Sequence, residues 1–511
     1  MELFKKAKKK FLIGYTAVKD KYNIIKNITN YNCSTNRKHL LFSSDPFKTN
    51  FIHIKGINKD PELRKIAPLS TFAIPDEIPE DLTFPLPEFE RCTIDLFEKY
   101  PRQSWETNTL NPTLIQDDSA EGFHFLYVAH DQAGKKPTHD MPFISYIGYA
   151  HLDKSGFKVD SKNSEPAIKA PLMDEYLDLI KQYTQNPSSE ILEKSKDNKF
   201  FPDGLMDPRI TKMNENGKPV YYIICNASNL AQTDYKDRED RNKSIKGAYI
   251  YMVKTHDFKK IDHVGVIGPE IYDKNAFLLS QKIKINGKDK LALFHRIFPN
   301  IQVTFFDSFE ELKNPAFWDN ELQSKNLEKN TVLKPLFNWE GHLTKKQKGN
   351  ETNIVDKGFI GGGAPPVEVT LRNGKKAWLI IYHSVDTALS KEPTGTKTLK
   401  QYFGSAAILN YEDPRIVLSR SAYPILSPYK EPFSLKGNSS KTIMDKIFEN
   451  YKQFDKTRKP KPVTFPSGNI VINDKLHIYY GAMDTEIRVA KCNLQDLVDF
   501  ISQFDANGNP F

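Results

Sequence analysis

The chain has 511 residues, of which 39% are hydrophobic and 27% are charged, a balance typical of a folded, soluble protein. Its longest apolar runs, such as residues 378–382, are much shorter than the ~20 residues that a membrane-spanning helix needs, so we expect no membrane partner. The formal net charge of +9 lies partly in lysines near the N-terminus, and no nucleic-acid recognition motif accompanies it. We therefore expect no nucleic-acid partner.

Cysteine use and the N-terminus both favour a cytoplasmic protein. The cysteines Cys33, Cys92, Cys225 and Cys492 are widely separated and form no CxxC pair, which is typical of reduced thiols. Residues 1–18 begin with a basic, partly apolar stretch, but no small-residue cleavage site follows it, so a secretory signal is not favoured. The histidines are dispersed, and we predict neither a metal site nor an organic cofactor.

Apolar, aromatic-rich segments recur along the chain at intervals of roughly 70 to 100 residues. They read FHFLYVAH (123–130), VYYIICNAS (220–228), KLALFHRI (290–297), AWLIIYHS (377–384) and KLHIYYGA (475–482). Each is typical of a buried β-strand and is followed by another strand-like run, such as SYIGYAHLD after the first segment. A proline stands in the entry to all but the third segment, for example Pro112 and Pro208.

This repetition predicts an all-β protein with a five-bladed β-propeller over residues 106–500. A β-sandwich would have a similar number of strands, but it gives no reason for the prolines before most segments. Apolar residues at helical spacing predict helices inserted between blades at about 171–200 and 439–456. Residues 1–105 are predicted to form an N-terminal extension, and residues 501–511 a C-terminal tail.

The tripeptide Asp-Pro-Arg occurs twice, and the propeller prediction assigns different roles to the two copies. The first strand of a blade lines the central channel, so Asp207 is expected to point into a concave pocket, where Arg209 would hold a negative group or a carboxylate. Asp413 instead follows a third strand, where the chain turns outward, and is expected to accept backbone hydrogen bonds in a turn. Only the first copy is therefore a candidate for chemistry.

Several linked segments, taken in order, resemble one enzyme family. They are GLMDPRIT (204–211), LALFHRIFPNIQ (291–302), GFIGGGAPPVEVT (358–370), FGSAAILNYEDPRIVLSRSAYPILSP (403–428) and VTFPSGNIVINDKLHIYYGAMDTEIRVA (463–490). Together they resemble glycoside hydrolase family 130, which comprises β-mannoside phosphorylases and some β-mannosidases built on a five-bladed propeller. The resemblance implies an enzyme that cleaves β-mannosidic bonds of an oligosaccharide with inversion.

The resemblance also implies roles for individual residues. Asp207 takes the place of the general acid, Asp484 matches a residue that holds hydroxyls of the mannosyl ring, and Asn111 matches a polar contact from the first blade. Arg296 and His383 stand where phosphorylases of the family bind phosphate, which would be the co-substrate. Phe359 departs from the pattern because it replaces a lysine, so a cation is missing from, or displaced within, the implied phosphate site.

The nucleophile is left open between phosphate and water. Phosphate attacks directly, whereas water needs a second carboxylate about 6.5–9.5 Å from the acid in an inverting enzyme. The sequence candidates for this base are Glu368 and Glu340, and Tyr382 and Tyr480 are candidates to stack on a sugar ring. A propeller that binds glycans or a protein without turnover is the alternative function, because a fold does not determine an activity.

Overall fold

The computed structural model describes residues 77–131, 144–171, 173–174, 201, 203–228, 248–341, 358–392, 395–428 and 463–511. The predicted helical insertions at about 171–200 and 439–456 fall almost entirely outside these residues, as does most of the predicted N-terminal extension. Within the described ranges, no helix has both the length and the apolar character that a membrane span requires.

The described chain is built mainly from antiparallel strands, beginning with β1 (Glu90–Thr93). Blade 1 contains β2 (Asn108–Gln116), β3 (Phe123–Asp131), β4 (Ile144–Leu152) and β5 (Val159–Lys162). Blade 2 contains β6 (Leu205–Glu215), β7 (Lys218–Ser228), β8 (Ala248–Thr255) and β9 (Asp262–Val266). Blade 3 contains β10 (Asp273–Leu278), β11 (Ile283–Ile285), β12 (Lys288–Ile297), β13 (Ile301–Phe306) and β14 (Thr331–Leu333).

Two further blades complete the architecture of the described residues. Blade 4 contains β15 (Gly358–Gly362), β16 (Val367–Thr370), β17 (Lys376–Glu392), β18 (Gly395–Asn410) and β19 (Val417–Arg420). Blade 5 contains β20 (Thr464–Ile472), β21 (Lys475–Ala482) and β22 (Glu486–Asn493), with β1 as its outer strand. Among the described residues, the α-helices with defined bounds are α1 (Pro315–Glu321) and α2 (Ser324–Lys329), both between β13 and β14, and α3 (Leu494–Ser502).

The sheet order and the contacts between sheets confirm the predicted five-bladed propeller. Strands that follow one another in sequence are neighbours within each blade, as in the order β2-β3-β4-β5. The first strands of consecutive blades contact each other, β2 with β6, β6 with β10 and β10 with β15, and β20 contacts both β17 and β2 to close the ring. The five recurrent apolar segments form β3, β7, β12, β17 and β21, the long second strands of the blades.

Hydrophobic clusters between adjacent blades explain why these second strands have continuous apolar runs. Ile224 of blade 2 and Leu293 of blade 3 belong to one cluster, and Phe294 of blade 3 and Ile380 of blade 4 belong to another. Both faces of a second strand are therefore buried, one against each neighbouring blade. A strand buried on both faces shows a continuous apolar run rather than strict alternation.

Two segments outside the predicted propeller range of residues 106–500 pack on the propeller. β1 pairs antiparallel with β22, so the boundary predicted at residue 105 separates a strand from the blade that it completes. The predicted tail at residues 501–511 also packs on the propeller, because Phe504 is buried and the Asp505 carbonyl accepts a hydrogen bond from the Arg420 backbone N–H. Covering the outer edge of blade 5 with β1 removes an unpaired strand edge.

Candidate active site

A β-bulge at the same place in three inner strands presents a polar side chain to the centre of the propeller. The pairing of β6 with β7 skips the two residues between Met206 and Arg209, and Asp207 lies there in the left-handed region with φ 54°. Corresponding skips place Asn111 (φ 47°) in β2 and Asn275 (φ 59°) in β10. Asp and Asn adopt this conformation at a lower cost than other non-glycine residues, which explains their use at the bulges.

Asp207 is held by two asparagine side chains from different strands. Asn111 Nδ2 donates to Asp207 Oδ1 at 2.6 Å, and Asn226 Nδ2, on β7, donates to Asp207 Oδ2 at 2.7 Å. The Asp207 side chain is nearly buried, with 8% of the residue exposed. Asn111, a candidate polar contact from the first blade, therefore contacts Asp207, whereas Asn226 was not among the sequence candidates.

Arg209 positions the backbone around Asp207 and does not present a free guanidinium to a ligand. Its Nη1 donates to the Asp207 carbonyl at 2.6 Å, and its Nε and Nη2 donate to the Gly363 and Gly362 carbonyls at 2.8 and 3.1 Å. Burial lowers the pKa of Arg209 to about 10, although the nearby Asp207 opposes this effect. Arg209 was predicted to contact the substrate. The structure corrects this prediction, because Arg209 instead links the bulge of β6 to the glycine-rich segment of blade 4.

The second Asp-Pro-Arg copy is a turn, as its position after a third strand predicted. Asp413 lies between β18 and β19, and its carboxylate accepts from Arg415 Nε and Nη2, each at 2.8 Å. The Arg415 backbone N–H also donates to Asp413 Oδ1 at 3.1 Å. The Asp413 and Arg415 side chains thus hydrogen-bond to each other within the turn, and neither is available for a substrate.

Both carboxylates that the sequence offers as a catalytic base form ion pairs with basic side chains. Glu368 lies on β16, where it forms a partly exposed ion pair with Lys376 at 2.6 Å and accepts from the Tyr411 hydroxyl at 2.8 Å. Glu340 is completely buried, and both of its oxygens accept from Arg420 Nη2, at 2.8 and 2.7 Å. The structure thus corrects both predictions, because neither carboxylate is free to remove a proton from water.

The two tyrosines predicted to stack on a sugar are core residues. Tyr382 is fully buried, and its hydroxyl donates to Glu340 Oε1 at 2.9 Å and accepts from Arg420 Nε at 3.0 Å. Tyr480 is also fully buried, in the hydrophobic cluster shared by blades 4 and 5. The prediction that Tyr382 and Tyr480 stack on a sugar is therefore corrected. Neither ring has a face open to a ligand.

Cations from two neighbouring blades gather around the rings of Tyr272 and Phe359. Lys274 of β10 lies directly opposite Arg296 of β12 in the strand register. Lys274 Nζ and Arg296 Cζ are 5.3 and 6.0 Å from the Tyr272 ring centre, and Arg296 Cζ is 4.6 Å from the Phe359 ring centre. Lys400 of β18 places its Nζ 5.4 Å from the same Phe359 ring. We call Lys274, Arg296 and Lys400 the cation cluster.

The electrostatics of the cation cluster favour an anion. Like charges directly opposite each other on paired strands destabilise the protein, so the juxtaposition of Lys274 and Arg296 is costly until a negative group relieves it. Burial raises the pKa of the Tyr272 phenol, but the three cations outweigh burial and lower it to about 8. Arg296 Nε is buried and has no hydrogen-bond partner within the described residues. Sequence reasoning found Arg296 but missed both lysines, which come from separate strands.

His383 lies beside the cation cluster as a neutral imidazole. Its residue is 1% exposed, and neither ring nitrogen has a hydrogen-bond partner among the residues that the structure describes. Burial, with further contributions from Arg296 and Arg209, lowers the pKa of His383 well below its usual value. A neutral imidazole can both donate and accept, so His383 suits the hydroxyl and oxygen atoms of a phosphate or a sugar.

Tyr402 connects the acidic and the basic halves of the site. Burial raises the pKa of its phenol, Asp484 and Asp207 raise it further, and Arg296 opposes them. These groups therefore act electrostatically on one ring on β18. Asp484 lies in the turn between β21 and β22, is half-buried, and accepts at its carbonyl from Asn108 Nδ2 at 2.8 Å. The structure thus places Asp207, Asn111, Asp484, Arg296 and His383 in one region near the centre of the propeller.

The fold and this site define a class of protein: a propeller enzyme with the Asp207 carboxyl group on one side of its candidate site and the cation cluster on the other. A family model described as β-1,4-mannooligosaccharide phosphorylase, Glyco_hydro_130, matches residues 173–503. The chain therefore belongs to glycoside hydrolase family 130, a family of enzymes that act on β-mannosidic linkages. This membership favours the enzyme over the non-catalytic binding propeller.

Individual relatives share about a quarter of their aligned residues with this chain. The chain is similar to a 1,2-β-oligomannan phosphorylase of Thermoanaerobacter sp., with 25% identity over 401 residues that cover 77% of this chain and 93% of the relative. It is also similar to a β-1,2-mannobiose phosphorylase of the same organism, with 26% identity over 76% of this chain and 90% of the relative. Among solved structures, the β-1,2-mannobiose phosphorylase from Listeria innocua matches with a TM-score of 0.43 and 16% identity, over 77% of this chain and 92% of that one.

Proposed function

We propose that the protein is an inverting phosphorylase of β-linked mannooligosaccharides. Inorganic phosphate attacks the anomeric carbon of the terminal mannosyl residue while Asp207 supplies a proton to the departing glycosidic oxygen. The C–O bond to the leaving sugar breaks as the C–O bond to phosphate forms, so the products are α-mannose 1-phosphate and a shortened oligosaccharide. The names of the relatives and of the family model support phosphorolysis over hydrolysis.

The observation that carries this proposal is the combination of Asp207 with the cation cluster. Phosphate is a multiply charged anion, and its removal from water requires several charge-assisted hydrogen bonds. Lys274, Arg296 and Lys400 supply such donors, and two of them lie directly opposite each other on paired strands. The lysines replace the charge that Phe359 removes from the family pattern. Hydrolysis would need a free second carboxylate, which neither Glu340 nor Glu368 provides.

The remaining pocket residues complete the proposed roles. Asp484 and Asn111 bind hydroxyl groups of the mannosyl ring, and His383 assists the cation cluster in holding phosphate. Asn111 donates a hydrogen bond to Asp207, Asp484 raises the pKa of Tyr402, and the His383 ring centre lies 6.0 Å from that of Tyr402. No organic cofactor or metal ion takes part in this proposal.

Product analysis with and without phosphate tests the proposed function. We expect the purified full chain to release mannose 1-phosphate from β-1,2- or β-1,4-linked mannooligosaccharides only when phosphate is present. Chromatography of the products distinguishes the outcomes. Free mannose formed at an equal rate without phosphate would show a hydrolase and contradict the proposal, and the lack of any product from either linkage would favour a binding propeller.

Tyr272 predicts an alkaline limit on phosphate binding. Because the cations hold the pKa of Tyr272 near 8, its phenolate becomes populated above that pH, neutralises part of the cation cluster and repels phosphate. We expect the KM for phosphate to rise several-fold from about pH 7 to about pH 9, a range over which unperturbed tyrosines stay neutral. In Tyr272→Phe this rise should be much smaller. Steady-state kinetics at several pH values would measure it, and an equal rise in both proteins would refute the role of Tyr272.

A cytoplasmic location is part of the proposal. Cys92, Cys225 and Cys492 are free thiols, and Cys33 lies outside the described residues. Free thiols are typical of reducing compartments. Burial raises the pKa of Cys92 to about 11, so this thiol stays protonated and unreactive.

A further inference from the structure

The two carboxylate oxygens of Asp207 have unequal neighbours. Oδ2 accepts from Asn226, whose residue is only 2% exposed, whereas Oδ1 accepts from Asn111, which is half-buried. Oδ1 therefore lies on the more accessible side of the acid. A general acid transfers one proton, so it matters which of these oxygens carries it.

Asn226 has a single allowed orientation. Its Oδ1 accepts from the Asn275 backbone N–H at 2.9 Å, and a backbone N–H can only donate. Rotating the amide by half a turn would bring two donors face to face and leave the buried Asn275 N–H without a partner, which is costly. The Asn226 Nδ2 therefore always faces Asp207 Oδ2 as a donor. An oxygen that accepts this hydrogen bond cannot direct its own proton along the same line.

Asn111 lacks such a constraint. Its Oδ1 is buried without a hydrogen-bond partner in the described part of the chain. When Asp207 is a carboxylate, Asn111 Nδ2 donates to Asp207 Oδ1, as observed. When that oxygen carries a proton, a half-turn of the Asn111 amide brings its unpaired oxygen round to accept the O–H. Asn111 can thus accommodate both protonation states of Asp207.

We infer that Asn226 is a positioning residue that confines the acidic proton of Asp207 to Oδ1, the oxygen beside Asn111. The inference rests on the proposed function, in which Asp207 is the general acid. During cleavage the O–H bond at Oδ1 breaks, the proton reaches the glycosidic oxygen directly or through a sugar hydroxyl, and the carboxylate left behind accepts from both asparagines. Asn226 acts on the reaction only through Asp207.

Other titratable groups around Asp207 come from three elements. Arg209 lies on the same strand and binds the Asp207 carbonyl. Cys225 lies opposite on β7, where burial raises the pKa of its thiol and Asp207 adds to this effect. Tyr402 on β18 is likewise protonated, because burial and the nearby carboxylates raise its pKa. Arg209 remains charged and both other groups remain neutral near pH 7, so none of them changes charge in the range of the test.

The test is the pH profile of kcat/KM for Asn226→Asp, with Asn111→Asp as the matched control. Each substitution is isosteric and places a second carboxylate against one oxygen of Asp207, and two such carboxylates share one proton. In Asn226→Asp the shared proton lies on the Oδ2 side, so Oδ1 is protonated only when a second proton binds. The basic limb of the profile should therefore move to lower pH by about one unit or more.

Asn111→Asp should shift the profile in the opposite direction. Its shared proton lies on the Oδ1 side, where it stays usable, and the like charge favours protonation, so the basic limb should move to higher pH. A merely structural role for the asparagines would not produce opposite shifts. An upward shift in Asn226→Asp, or the same direction in both variants, would overturn the inference.

Two further measurements distinguish a failure of the proposed function from a failure of the role inferred for Asn226. Asp207→Asn reports on the proposed function itself: if it stays active on oligosaccharides, the acid assignment fails, whatever the asparagine variants do. In a dinitrophenyl β-mannoside the leaving group is dinitrophenolate, which needs no proton to leave. Asn226→Asp should therefore turn this substrate over at nearly the parental rate. Loss of this activity as well would overturn the inference, because displacing the proton impairs only the step that needs it.

Discussion

Asp207→Asn is expected to lower phosphorolysis of β-mannooligosaccharides by a factor of about 10² to 10⁴, the usual contribution of general acid catalysis. The fold should be unaffected, because the new amide can accept from Asn226 and donate to the unpaired Oδ1 of Asn111 after that side chain rotates. Initial rates with mannooligosaccharides and phosphate would measure the loss. Thermal denaturation would check the fold.

Asp413→Asn is the matched control for this substitution, since it changes the same residue in the other Asp-Pro-Arg copy. Within the described residues, the Asp413 side chain accepts hydrogen bonds only from Arg415, in its own turn. Activity should therefore stay close to that of the parent protein. Equal losses in Asp207→Asn and Asp413→Asn would indicate a structural cause. An unchanged rate in Asp207→Asn would eliminate Asp207 as the acid.

Lys274→Met is expected to raise the KM for phosphate about 10- to 100-fold, since a hydrogen bond to a charged group contributes about 1.5–3 kcal/mol. Affinity for the mannooligosaccharide should change much less, because Lys274 lies with Arg296 in the cation cluster, and the sugar is assigned to Asp484 and Asn111. Steady-state kinetics with phosphate varied at saturating oligosaccharide would measure the effect. Arg296→Met should act in the same direction.

Lys376→Met serves as the control for Lys274→Met, because both lysines lie near a tyrosine ring. Lys376 Nζ is 5.4 Å from the Tyr411 ring centre, and Lys274 Nζ is 5.3 Å from that of Tyr272. Lys376, however, pairs with Glu368 on the partly exposed strand β16. Its replacement should leave the KM for phosphate unchanged. A KM that Lys274→Met does not alter would show that phosphate binds elsewhere.

The candidate site was predictable where local sequence controls it. Asp207 was predicted to point into the channel because it starts a first strand and a proline follows it, and Asn111 also precedes a proline at a strand entry. The β-bulge that presents both side chains depends on residues adjacent in sequence, so a local pattern can signal it. Asn275 occupies the third equivalent bulge without a proline, and the sequence pattern missed it.

The failed predictions for Glu340 and Tyr382 concern a buried charge and its partners. Glu340, Tyr382 and Arg420 form one buried network from three distant parts of the chain, and nothing near any of them in sequence indicates the others. Likewise, the two lysines of the cation cluster come from separate strands, β10 and β18. Pairing of this kind depends on side-chain direction after the blades have packed, which no local pattern contains.

The sequence by itself determined the number of blades and the order of their strands, because a strand buried on both faces must be apolar along its whole length. It also predicted that the second Asp-Pro-Arg copy forms a turn. Only the tertiary structure decided that Arg209 binds backbone carbonyls, that β1 completes blade 5 and that Asn226 orients Asp207. These contacts join residues far apart in sequence, and they form only when closure of the ring brings distant strands to a common centre.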